Sequence, residues 1–91
     1  MLNVVWLDEA LRDLAEINAY IADRNPAAAR NLNRIIVEQS DLLGEHPLLF
    51  RAGRVPGTRE VVVHPNYIVV YRLTATAVEI LNVLHSRQEY P

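Results

Sequence analysis

Between residues 58 and 84 the chain holds three short runs rich in β-branched and aromatic residues. They are separated only by Pro65-Asn66 and by residues 74–77. Connections that short join only strands lying antiparallel, side by side. The back half is therefore predicted to be a three-stranded meander over Thr58–His64, Tyr67–Leu73 and residues 78–84.

Ahead of the meander the apolar period changes from two to about 3.6. Residues 2–6, ending at Trp6, read first as a short strand. Asp8 is placed to cap a helix, and Glu9 puts an acid in its first turn. Leu7, Leu11, Leu14, Asn18 and Ile21 then recur at helical spacing, with Ala10, Ala15 and Ile17 widening the stripe. Asp23-Arg24-Asn25-Pro26 breaks this helix, and Asn25 and Pro26 suit the cap and first turn of another. The second helix runs through Ala28, Ala29, Leu32, Ile35, Ile36, Gln39, Leu42 and Leu43 and stops at Gly44. So short a break folds the two into an antiparallel hairpin. Arg30, Asn33, Arg34, Glu38 and Asp41 make its solvated outer face. Residues 45–57, with Pro47, Gly53, Pro56 and Gly57, form a loop. Its Leu48, Leu49 and Phe50 are expected to fold beneath it onto the core.

The fold class is α+β, in the order β-α-α-β-β-β. Strand side chains alternate between faces. One face takes Arg59, Val61 and Val63, then Tyr67, Val69, Tyr71 and Leu73, then Glu79, Leu81, Val83 and His85. The other takes Glu60, Val62, His64, Ile68, Val70, Arg72, Val78, Ile80, Asn82 and Leu84. The helical hairpin should cover one of them. Trp6, Leu14, Ile21, Leu32, Ile36, Val70 and Ile80 are expected to form much of the core.

At 91 residues the chain makes one domain, residues 1–91. It has no cysteine, which excludes disulfides, thiolate metal ligands and cysteine catalysis. No apolar run approaches the ~18 residues of a membrane span, and no signal peptide opens the chain. A cytoplasmic protein with no membrane partner is expected. The net charge of −2 hides an asymmetry. Residues 1–45 carry four arginines against eight acids; residues 46–91 carry five arginines, three acids and all three histidines. None of the nine cations is lysine. Arginine offers a planar fork suited to phosphate and carboxylate. A pI near 5.8 argues against strong nonspecific binding to nucleic acid. No phosphate-cradling glycine motif, zinc spacing or Ser-His-Asp pattern occurs, so no cofactor and no metal are expected.

Several segments, taken in order, resemble the RelE/ParE superfamily of bacterial type II toxins. They are the strand end at Trp6, Asp13-Leu14-Ala15-Glu16-Ile17 with Tyr20-Ile21, and the restart Asn25-Pro26-Ala27-Ala28-Ala29. Leu43 and Pro47, Arg54-Val55-Pro56-Gly57-Thr58-Arg59-Glu60, Tyr67-Ile68-Val69-Val70-Tyr71-Arg72 and Val83-Leu84-His85-Ser86-Arg87-Gln88 complete the set. The resemblance implies a growth-arresting toxin neutralised by a small antitoxin protein, touching operator DNA only through that antitoxin. The superfamily holds two chemistries. RelE-like members cut mRNA on the ribosome, and ParE-like members poison DNA gyrase.

Cutting RNA through its 2′-hydroxyl needs a base, an acid for the leaving oxygen and cations around the phosphorane. Arg59 and Arg72 on neighbouring strands, with His85 at a strand exit, are the candidate catalytic residues if the chain is a nuclease. Tyr71 and Tyr90 can donate a hydrogen bond. Simpler roles stand beside these. His64 and His46, each next to a proline, suit turns; Arg59-Glu60 suits a surface ion pair of little worth; Tyr67 and Tyr71 suit the core. Lysine-using nucleases of the superfamily have no counterpart here. The histidine-using branch places its catalytic groups at positions that match Val62 and Asn66, although His85 does match. The reading therefore leans to ParE-like gyrase poisoning. Ribosome-dependent mRNA cleavage and a non-toxic antitoxin-binding co-repressor are the alternatives. On this reading Arg54, Arg87, Gln88 and Tyr90 contact the target, while Leu11, Ile21, Ala28 and Leu32 receive the antitoxin.

Overall fold

The computed structural model describes residues 1–89, so Tyr90 lies outside the described residues. The elements follow the expected order. They are β1 (Asn3–Trp6), α1 (Asp8–Ala22), α2 (Pro26–Leu42), β2 (Arg51–Ala52), β3 (Thr58–His64), β4 (Tyr67–Leu73) and β5 (Ala77–His85). β2 is a two-residue addition from within the expected loop, paired antiparallel with Arg59 and Glu60. The sheet runs β1-β5-β4-β3-β2. The meander is antiparallel, and β1 lies parallel to β5 at its far edge.

The start of α1 differs from expectation. Leu7, not Asp8, holds the cap position, in extended conformation and without a side-chain cap. The cause is β5: the Leu7 N–H is bonded to the Ile80 carbonyl at 3.0 Å, which keeps the chain extended for one more residue. Asp8 and Glu9 then stand in the first turn, where their charge meets the helix dipole. α2 begins as the sequence indicates. Asn25 accepts from the Ala28 N–H at 3.1 Å and Pro26 opens the helix.

α1 also turns a different stripe inward. Ala10 is fully buried, with Leu14, Ile17 and Ile21 packed against the core, while Leu11 is 48% exposed and Asn18 is exposed. α2 contributes Ala29, Leu32, Ile36 and Ser40, and Leu43 follows them inward. Gly44 closes this end. Its carbonyl accepts from the Leu2 N–H at 3.0 Å, and a Cβ there would stand 2.6 Å from the Leu2 carbonyl oxygen. No larger residue fits between α2 and the lead into β1.

The hairpin covers the sheet face that holds Val61, Val63, Tyr67, Val69 and Tyr71. The face assignment of β5 needs correction. A β-bulge opens between Val70 and Tyr71, which pair with Asn82 and Ile80 and leave Leu81 as the extra residue. Val78 and Ile80 therefore join Tyr71 beneath the hairpin, and Val83 stays there opposite Val69. Glu79 and Leu81 go to the other face, where Leu81 packs with Ile68, Val70 and Leu84. Val70 thus belongs to this smaller second cluster, and Trp6, Leu14 and Ile21 border the main one rather than filling it. Leu48 and Leu49 do not fold under their loop; they are 67% and 68% exposed, and only Phe50 packs inward. Among the described residues, no helix is long and apolar enough to cross a membrane.

Candidate functional site

The register of the meander brings His85 opposite Tyr67, and an irregularity in β3 between Val62 and His64 sets His64 beside Tyr67 in the same cleft, not with Val62 on the other face as simple alternation predicts. The His85 and Tyr67 rings meet edge to face at 5.4 Å between centroids, and His64 lies 5.8 Å from Tyr67 on its other neighbour strand. These three side chains form one wall of a cleft of about 680 Å³. Asn66, Val83 and Gln88 extend that wall. The facing wall is a stripe of α1: Asp13, Glu16, Ile17, Tyr20 and Ile21, spaced as one helical face. Ala28 and Leu32 from α2 complete the lining.

Asp13 ties the two walls together. Its Oδ2 accepts from the Val83 N–H at 3.0 Å and from Asn82 Nδ2 at 3.1 Å. β1 pairs with β5 only as far as Ile80, and beyond it the Asp13 carboxylate takes the Val83 N–H and the Asn82 side-chain amide. Both cleft histidines act as turn acceptors. The Asn66 N–H donates to His64 Nδ1 and the Arg87 N–H donates to His85 Nδ1, each at 3.1 Å. In that arrangement each neutral imidazole carries its proton on Nε2. His64, expected in the turn, instead ends β3, and its ring accepts from the turn that follows.

The candidate cations lie elsewhere. Arg59 pairs in register with Tyr71, on the helix-covered side, and donates through NH1 to the carbonyls of Phe50 (2.8 Å) and Leu48 (3.4 Å). Arg72 follows Tyr71 on β4, so it points to the opposite face, where it pairs with Glu79 at 2.6 Å. Arg59 and Arg72 are therefore on opposite sides of the sheet, and neither lines the cleft with His85. Glu60 does not pair with Arg59. It is 4% exposed and bonds Arg51, 3.1 Å from NH2, and the Arg54 N–H at 3.3 Å. Arg54 in turn reaches the Gln88 carbonyl through NH1 at 3.4 Å, so these two expected target contacts do meet. Tyr71 is fully buried and donates to the Pro47 carbonyl at 2.9 Å. Burial raises its phenol above the ordinary value, and the Arg59 charge opposes that rise.

Of the residues expected to receive an antitoxin, Ile21, Ala28 and Leu32 line the cleft, Leu32 at 5% exposure, whereas Leu11 stands outside the lining. Sequence reasoning missed Asp13, Glu16 and Tyr20 as site residues. Their shared spacing with Ile17 and Ile21 was the available signal. Among the described residues, no group of three or more histidines and carboxylates is placed to hold a metal ion.

Comparison with known proteins places this architecture. A family model described as the ParE toxin of the type II toxin-antitoxin system, parDE, matches residues 4–90. The chain is similar to Y4kP of Sinorhizobium fredii, a protein that carries a toxin name. They share 42% identity over 87 residues, covering 94% of this chain and 90% of that one. It is also similar to Toxin RelE2 of Caulobacter vibrioides, with 34% identity over 88 residues, 94% of this chain and 97% of that one. In fold it resembles a chain of the chromosomal ParDE system from P. aeruginosa, with a TM-score of 0.83 at 24% identity over 93% and 96% of the two chains. A chain of the E. coli DinJ-YafQ toxin-antitoxin complex matches with a TM-score of 0.63 at 15% identity over 92% and 91%. With the family model spanning nearly every residue and two toxin relatives above 30% identity, the chain belongs to the ParE toxin family of type II toxin–antitoxin systems, within the RelE/ParE superfamily.

Proposed function

We propose that this toxin arrests growth by poisoning DNA gyrase and does not cut mRNA. One observation carries the reading: among the described residues, the candidates Arg59, Arg72 and His85 are not brought together. A phosphorane requires cations within hydrogen-bond reach of the group that moves the proton. His85 instead opens onto a cleft whose lining includes two carboxylates and no arginine. Its Nδ1 is engaged by the chain's own backbone. Arg59 braces the loop at residues 48–50 and Arg72 pairs with Glu79, on opposite faces. Val62, 53% exposed, and Asn66, in a turn, supply no general base in compensation.

The segment around Arg54, Arg87 and Gln88 then serves as the target contact, with Arg54 and Gln88 already joined. The test pairs 5′-end mapping of mRNA on translating ribosomes with a gyrase supercoiling assay, both using protein freed of antitoxin. Uncut mRNA and trapped, cleaved DNA on gyrase are expected. Charge removal at Arg54 and Arg87 should weaken that trapping more than His85→Ala does. Codon-phased cuts lost in His85→Ala, with gyrase unaffected, would overturn the proposal in favour of ribosome-dependent cleavage.

A further inference from the structure

The cleft between α1 and the end of the meander has a chemistry of its own. We propose that it is the socket for a basic side chain of the antitoxin, an arginine or lysine carried on an amphipathic segment. The inference rests on neutralisation of this toxin by a protein antitoxin, and it specifies what that partner must present.

Charge is the first argument. Asp13 and Glu16 are among the residues that line the cleft, and no arginine is; Arg12, next to Asp13 and one turn before Glu16, is exposed and outside the lining. α1 as a whole carries four acids against one arginine. Asp13 is held in place by the Val83 N–H and Asn82, so its carboxylate is presented without reorganisation. Glu16 is exposed, one turn further along the same helical face.

Ring chemistry is the second. Tyr20 and Tyr67 add aromatic surface to the same cleft, and cations settle over such rings. Tyr20 already does this within the chain: the Arg24 guanidinium carbon lies 4.1 Å from its ring centroid. Arg24 itself does not line the cleft.

Size is the third. About 680 Å³ exceeds the need of a single ion and falls within the range of sites that take several groups at once. Ile17, Ile21 and Leu32 provide apolar lining beside the carboxylates. An occupant therefore needs apolar side chains and a cation on one face, the pattern of an amphipathic segment laid in a groove. An acidic segment would meet like charge.

Two probes and one substitution series test this. Ethylguanidinium and its uncharged analogue ethylurea are titrated into antitoxin-free protein and followed by amide NMR. Ethylguanidinium should shift Ile17, Tyr67 and Val83 saturably, ethylurea should not, and Glu16→Lys should abolish the response. Antitoxin affinity, measured by calorimetry on the protein that co-purifies with the toxin, should fall about tenfold in Glu16→Gln, the scale of one charged hydrogen bond. It should fall further in Glu16→Lys. Both substitutions keep good helix formers at an exposed helical position, so the thermal midpoint should not move. Glu38→Gln, on the solvated face of α2, should leave affinity unchanged. Wild-type affinity in Glu16→Lys would overturn the cation socket while leaving the antitoxin itself in place. Ethylguanidinium still binding to the toxin–antitoxin complex would overturn the assignment of the occupant, as would self-association of free toxin that occludes the cleft. Absence of any neutralising protein partner would remove the premise and the proposal together.

Discussion

At the scale of single residues, Tyr71 is the largest fully buried side chain among the described residues. It is fully buried, opposite Arg59 on one strand and Ile80 on the other, and its hydroxyl ties the Pro47 turn to the sheet. Tyr71→Phe should cost about 0.5–1.5 kcal/mol near neutral pH, the usual net worth of one such bond. Its alkaline behaviour gives a sharper test. Burial raises the folded phenol above its unfolded value, so the folded chain holds that proton more tightly. The contribution is fully present below about pH 10, where the unfolded phenol titrates, and is lost as pH rises towards the folded value. The chain has no lysine and no cysteine, so above pH 9 no other class of side chain blurs the reading. Urea titrations should show the wild type losing its advantage over Tyr71→Phe as pH climbs past 10. A constant gap between the two would mean that the phenol is not buried as described.

At the scale of elements, β5 repays the closest look. Its bulge lets one strand serve two faces out of phase: Ile80 and Val83 both point under the hairpin although three positions apart. Removing Leu81 should therefore give a regular ladder with both residues still beneath the hairpin. Deleting Val69 from β4 instead turns one half of a regular strand inside out. The Leu81 deletion should retain a cooperative thermal transition by circular dichroism, at a lower midpoint, and the Val69 deletion should abolish it. The bulge is also where the sequence was hardest to read. Period-2 alternation identifies strands and, with Pro65-Asn66, their turns, so β3 and β4 fall where expected. An extra residue leaves no mark in an apolar run such as Val78-Glu79-Ile80-Leu81, and every face assignment before it inverts. Asp13 was illegible because its partner is a backbone N–H seventy residues away, on the stretch of β5 that β1 is too short to cover. Leu48 and Leu49 were misplaced because apolarity alone does not say which side of a short loop faces the core. His85 was singled out by residue type, and it lines the cleft. That it faces carboxylates and not arginines depends on register and helix rotation, and neither can be read from spacing along the chain.

At the scale of the whole molecule, the opposed charges of the two halves map onto different layers. The acid-rich half supplies the helices over one face, and the arginine-bearing half supplies the meander and its loops. The cleft lies where the two layers meet, and Gln88 both lines it and accepts from Arg54, so the proposed socket and the proposed target segment adjoin. One topological detail governs how such a molecule comes into being. β1 is the first strand of the chain, yet its sheet partner is β5, the last, through the register Asn3↔Ala77 to Trp6↔Ile80. A chain truncated after residue 76 keeps both helices and two strands of the meander but loses the strand that links β1 to β4. It should show no cooperative unfolding transition, and a sharp transition in that fragment would contradict the architecture. The same closure acts as a clock during synthesis. Contacts of such long sequence separation form late and slowly. A ribosome can therefore lay down most of this polypeptide without releasing a folded toxin, and the harmful shape exists only once the final strand has emerged to meet the first.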